Sequence, residues 1–159
     1  MALSPAQPGL GSGNSRGNDD MAITEGAHHI GLTVPDHEAA RDFFVDVLGF
    51  VEVGGKPDYP AIFVSDGSLM VTLWRAEDPA TATPFDRKTG IGLHHLALKV
   101  SPDAMDGLHE KLLAATGCTI EFAPEPLNAG PVRHMMCTIP GGIRMEFIAP
   151  PSTWPCVRL

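Results

Sequence analysis

Apolar and polar residues alternate along Ile30–Val34 and again along Leu96–Val100. Successive strand side chains point to opposite faces. In the first run Ile30, Leu32 and Val34 share one face, against His29, Gly31 and Thr33 on the other. In the second, Leu96, Leu98 and Val100 share a face, against His95, Ala97 and Lys99. Each run opens on a His-His pair, A-H-H-I-G-L-T-V at Ala27–Val34 and G-L-H-H-L-A-L-K-V at Gly92–Val100. Two copies, far enough apart to hold one supersecondary unit, predict a tandem duplication and not a stacked solenoid.

The pattern between the copies changes period. After Pro35, Asp36 is placed to cap a helix reaching about Leu48, with Ala40, Phe43, Phe44, Val47 and Leu48 on its apolar face and Gly49 closing it. Phe50–Val53 reads as a short strand, and Gly54, Gly55, Pro57 and Pro60 as a loop. Ala61–Ser65 and Leu69–Arg75 read as a hairpin turning at Asp66-Gly67-Ser68. In its second arm Leu69, Val71 and Leu73 oppose Met70, Thr72 and Trp74. The second copy repeats the order. A strand at 92–100 leads to Ser101-Pro102, a cap followed by proline in the first turn, and a helix to about Thr116. Strands follow at about 118–123, 132–139 and 143–148, the last presenting Ile143, Met145 and Phe147 to the core and Arg144, Glu146 and Ile148 away from it.

Each half therefore reads βαβββ, and the fold class is α+β with two tandem βαβββ modules. Residues 1–22 read as a disordered leader and 23–150 as one domain. Its first module spans about 25–75, a connector 76–91 and its second module about 92–150, followed by an irregular tail at 151–159. A connector this long is expected to cover a site or cross between subunits.

Composition narrows the function. The net charge of −8 and the lack of a basic cluster argue against a nucleic-acid partner. No apolar run approaches a membrane span and no secretory pattern opens the chain. Cys118, Cys137 and Cys156 are widely spaced and odd in number, which suits free thiols in a reducing cytoplasm.

His29, His95 and Glu146 all fall on the strand face opposite the apolar stripe. Two imidazoles and one carboxylate suit a divalent transition metal (Fe, Mn, Ni, Co or Zn) with positions left open for substrate. Each imidazole is followed on its face by a small residue, Gly31 or Ala97, which leaves room beside it. Taken singly, a histidine at a strand start is usually a hydrogen-bonded structural residue. The duplication and the shared parity favour ligation. Thr72 occupies the first-half position corresponding to Glu146, and a hydroxyl is a poor ligand, so three protein ligands are expected. Thr72, Met70, Trp74, Phe63 and Met136 are candidates to line a substrate pocket beside them.

H-I-G-L-T-V, then D-x-x-x-A-x-x-F-F-x-x-V-L-G-F, then H-L-A-L-K-V and P-G-G-I-R-M-E-F together resemble the vicinal oxygen chelate superfamily over about residues 25–150. That group includes glyoxalase I, extradiol dioxygenases, fosfomycin-resistance enzymes, methylmalonyl-CoA epimerase and bleomycin-binding proteins. The resemblance implies modules curled as a mixed sheet around a metal held by His29, His95 and Glu146, a small-molecule substrate with adjacent oxygens, and a homodimer. It implies that Thr72, where glyoxalase I has a glutamate and methylmalonyl-CoA epimerase an amide side chain, counts against both of those activities. Gly130-Pro131-Val132-Arg133-His134 resembles the Gly-Arg-His of extradiol dioxygenases, which implies His134 as an acid or base and Arg133 beside the substrate. Those enzymes place a tyrosine between that histidine and the glutamate, whereas the one tyrosine here is Tyr59. The resulting expectation is a cytoplasmic metal-dependent dioxygenase. A glyoxalase-like lyase or isomerase stands second, and a non-catalytic binding protein is the rival.

Overall fold

The structure, a computed structural model, describes residues 23–151. The expected leader, nearly all of the expected tail and Cys156 lie outside the described residues. Within them are two four-stranded sheets, each made by one half of the chain.

The first half runs β1 (His29–Val34), α1 (His37–Asp42), β2 (Val51–Lys56), β3 (Ala61–Ser65) and β4 (Met70–Arg75). Asp36 caps α1 as expected, accepting from the backbone N–H groups of Glu38 and Ala39. The helix then widens into a π turn at Phe43–Val47 instead of continuing as α-helix to Leu48. In that turn the adjacent Phe43 and Phe44 are both buried. Gly49, at φ +76°, turns the chain out of it. β2 is longer than the pattern implied, because Gly54 and Gly55 belong to the strand. A Cβ on Gly55 would lie 2.8 Å from the Ala61 carbonyl oxygen, so glycine is what lets β2 approach β3 there. The β3–β4 turn is the expected one, with Asp66 Oδ1 accepting from the N–H groups of Ser68 and Leu69. The sheet order is β1-β4-β3-β2, with β1 parallel to β4 across the α1 crossover.

The second half runs β5 (Leu96–Lys99), α2 (Met105–Ala114), β6 (Thr119–Pro126), β7 (Arg133–Thr138) and β8 (Arg144–Ala149), in the order β5-β8-β7-β6. β5 is shorter than expected, so His94 and His95 stand just ahead of it. Ser101 makes no side-chain cap. Pro102–Ala104 instead forms a 3₁₀ turn that leads into α2. Residues 76–91 form neither helix nor strand.

Strand parity is as the pattern required. Leu32, Val71 and Leu73 of the first sheet and Leu96, Met145 and Phe147 of the second are buried, and one hydrophobic cluster joins them with Phe44 and Leu112. The two modules are therefore halves of one core. At their seam Gly141 sits at φ +97°, and a Cβ there would come 2.9 Å from Val34 Cγ1. Cys118 and Cys137 are free thiols, as expected. Burial, and then the neighbouring Cys118, push the Cys137 thiol far above its ordinary range.

Phe44→Ala should cost about 3–5 kcal/mol in chemical denaturation, because it empties the centre of the shared core. Its unfolding should remain a single transition for both modules. Cys137 should resist alkylation at neutral pH until the chain unfolds, since the protonated thiol is a poor nucleophile; mass mapping of native and denatured protein checks this.

Candidate functional site

The open faces of the two sheets carry the candidate residues. Ala97 pairs in register with Glu146, and Gly31 pairs with Thr72. Thr72 is thus the counterpart of Glu146, as the sequence comparison of the halves implied.

Glu146 is the one buried acidic side chain among the described residues. Its Oε1 lies 2.6 Å from His134 Nδ1 and its Oε2 lies 3.2 Å from His95 Nε2. Among the described residues no arginine or lysine pairs with it, and two imidazoles satisfy the carboxylate, one at each oxygen. His134 stands across from Ile148 in the β7–β8 register, two residues from the Met136–Glu146 pair, and its ring rests on Phe122 with centroids 5.0 Å apart. Its other nitrogen, Nε2, is 3.9 Å from Glu125, too far for a hydrogen bond.

The second histidine of each His-His pair is supported by the first. His94 Nδ1 lies 2.8 Å from His95 Nδ1, and His28 Nδ1 lies 2.9 Å from His29 Nδ1. One nitrogen of each pair must donate and the other accept, so the tautomers of the two rings are coupled. A proton on Nδ1 of His29 or His95 leaves Nε2 as a lone pair able to bind a metal.

His95, Glu146 and His134 are brought together. His29 is not with them, since it opens β1 in the other sheet beside Met70. Among the described residues, no three His, Cys, Asp or Glu side chains of one chain converge where they could hold a metal ion.

The face around His29 is an aromatic wall. The Trp74 indole N–H donates to Thr72 Oγ1 at 2.8 Å, and Thr72 is 3% exposed. Tyr59 and Phe63 lie against Trp74, with ring centroids 5.1 and 6.1 Å away. The space that Gly31 was expected to leave is bounded by these groups, since a Cβ there would meet Thr72 Oγ1 at 3.4 Å and Trp74 Nε1 at 3.5 Å. Met70 and Phe63 fall on this face and Met136 on that of Glu146.

Arg133, expected beside the substrate, points elsewhere. Strand alternation turns it from His134 toward α2, where it grips Asp106 at 2.7 and 3.3 Å and holds that carboxyl below its ordinary range. Two residues escaped the sequence reading. Tyr59 lay in a glycine- and proline-rich stretch with no periodicity to give it a face. Arg144 was placed by parity on the face of Glu146 but not recognised as a site residue; its Nε is 3.0 Å from both oxygens of Glu121. The connector reaches this end of the face, where Arg87 comes within 3.9 Å of Glu121 and a hollow of about 160 Å³ opens between Phe85, Arg87, Thr138 and Arg144.

Residues 26–147 match the family model described as the Glyoxalase/Bleomycin resistance protein/Dioxygenase superfamily. A 2-epi-5-epi-valiolone epimerase from Actinomyces sp. is 27% identical over 150 residues, covering 80% of this chain and 81% of that protein. A glyoxylase/bleomycin resistance protein/dioxygenase domain from Frankia sp. EAN1pec superposes with a TM-score of 0.68 at 25% identity, covering 79% of this chain and 98% of that one. The fosfomycin resistance protein FosX of Listeria monocytogenes, at 16% identity, superposes with a TM-score of 0.64, covering 80% and 95% of the two chains.

Thr72→Val should destabilise the protein by about 1 kcal/mol, because it strips the half-buried Trp74 indole N–H of its acceptor. Thermal unfolding measures the loss, and a shift in tryptophan emission should accompany it.

Proposed function

Because the chain belongs to the Glyoxalase/Bleomycin resistance protein/Dioxygenase superfamily, we propose that it is a metal-dependent enzyme acting on a small substrate with adjacent oxygens. Its reaction, in this reading, is a proton transfer at a carbon beside a carbonyl, of the isomerase or epimerase kind. The observation that carries the reading is the Glu146 carboxylate, buried on an open sheet face and held at its two oxygens by His95 and His134.

The donor set fits a divalent transition metal. His95 and Glu146 already adjoin, and a lone pair on His95 Nε2 can replace its present contact with the carboxylate when His95 Nδ1 carries the proton and donates it in a hydrogen bond to His94 Nδ1. His29, His95 and Glu146 would hold the ion, and when bound it supplies Lewis-acid polarisation of the substrate oxygens. His29 lies on the other sheet, so in this reading it is supplied by a second copy of the chain. The shared core supports this, since it binds the two modules through their apolar faces and leaves both polar faces open.

His134 has two tasks. Its Nδ1–H orients Glu146, and its Nε2 is then the lone pair available to take a proton from carbon. The Trp74–Tyr59 wall would shield the apolar side of the substrate from water. The Actinomyces relative, named as an epimerase, points the same way. Oxygenative ring cleavage is the second reading, favoured by His134 standing at the opening of β7 on the face of Glu146. It lacks the expected tyrosine there, because Tyr59 lies against Trp74 on the other sheet.

Metal analysis is the first test. The wild type should bind a divalent ion that His29→Ala, His95→Ala and Glu146→Ala each lose. Refolding His29→Ala together with Glu146→Ala should restore metal uptake, because a mixed dimer regains one intact site; a site within one chain would show no rescue. In D2O, a panel of cyclic hydroxyketones should acquire deuterium beside the carbonyl. Oxygen consumption with catechols and no such exchange would replace this reading with the second. Failure to take up Fe(II), Mn(II), Ni(II), Co(II) or Zn(II) would leave a binding protein.

A further inference from the structure

A cavity of about 470 Å³ opens away from this site, between the end of the first module's helix and the second module's α2. Its floor is apolar, made by Val47, Phe50, Leu98 and Phe147. Phe147 follows Glu146 in β8, so it lies on the opposite face of the strand and the cavity is separate from the histidine cluster. One wall is α2 and the turn before it, where Gly107, Leu108 and Lys111 follow Ala104 at helical spacing.

Three features bear on what it holds. First, Gly107 stands inside a helix, where glycine is less stable than alanine. It has no steric reason to be there, since a Cβ would meet nothing within 4 Å and its φ is not in the left-handed region. A side chain at Gly107 would project into the cavity. Second, Lys111 lines the cavity from α2 and forms no ion pair among the described residues, in a chain of net charge −8. Third, the one acid on the lining, Asp66, is turned to its own loop, with Oδ1 accepting from Ser68 and Leu69. The volume falls within the range of small-molecule sites.

We infer that this cavity binds a small amphipathic anion, an apolar acyl chain or ring bearing a single carboxylate, with its body over Phe147 and Leu98 against Gly107 and its carboxylate on Lys111. The preference for an anion rests on charge complementarity, and the close approach to α2 rests on the absent side chain at Gly107.

Sodium octanoate serves as the probe and octan-1-ol as its uncharged counterpart, each titrated into the full-length protein by calorimetry and by amide NMR. Octanoate should shift the Gly107 amide and bind at least about tenfold more tightly than octanol, as a charge-assisted contact requires. Lys111→Met should remove that advantage and leave octanol binding unchanged. Gly107→Leu should abolish both while keeping the native amide spectrum, and Gly107→Ala should raise the melting temperature while weakening octanoate. Equal affinity for octanoate and octanol would overturn the anion assignment. Octanoate binding undiminished in Gly107→Leu would overturn the site. Binding that emerges only after residues 152–159 are removed would show the chain's own tail to be the occupant, and would overturn the proposal as well.

Discussion

A sheet has two faces, and in this protein one core takes the apolar face of both. Leu32, Val71 and Leu73 from the first half bury with Leu96, Met145 and Phe147 from the second, so the modules cannot part without exposing the interior of each. Strand alternation then assigns every other residue without further choice. Glu146 lies outside that core because Met145 and Phe147 lie within it. Such a carboxylate has few ways to be satisfied, and here imidazoles from β7 and from the entry to β5 close on it. The chemistry of the site is set by this division of faces before any individual contact forms.

The architecture was legible because a duplicated period-two pattern is a redundant signal. Each module confirmed the other, and the Thr72–Glu146 correspondence recovered from parity is the pairing found in the two registers. What escaped was geometry that periodicity does not encode. The π turn at Phe43–Val47 leaves the hydrophobic pattern of a helix intact while changing its winding. Gly54 and Gly55 looked like loop residues because composition says nothing of how near another backbone passes. Arg133 and His134 were read together from a resemblance, yet adjacent strand residues face apart, and the alternation applied elsewhere would have sent Arg133 to α2.

The halves have diverged in what they offer. The second presents a carboxylate, two imidazoles and an arginine held by Glu121, and is the ionic half. The first presents one supported imidazole and a wall of Trp74, Tyr59 and Phe63, and is the apolar half. At the register position where one carries Glu146, the other carries a threonine spent on an indole N–H. Family membership accounts for the common frame.

The paired histidines have a consequence for how such a protein arises. Because His28 steadies His29 and His94 steadies His95, each candidate ligand travels with its orienting partner in the adjacent codon. Copying a short segment of gene therefore copies a ligand already aimed, with no need for a distant partner to be found afterwards. The carboxylate is different, since its support comes from β7 and from the start of β5, and it is the element the two halves do not share. A ligand braced by its neighbour in sequence survives duplication intact, whereas one braced across a fold must be established anew in each copy.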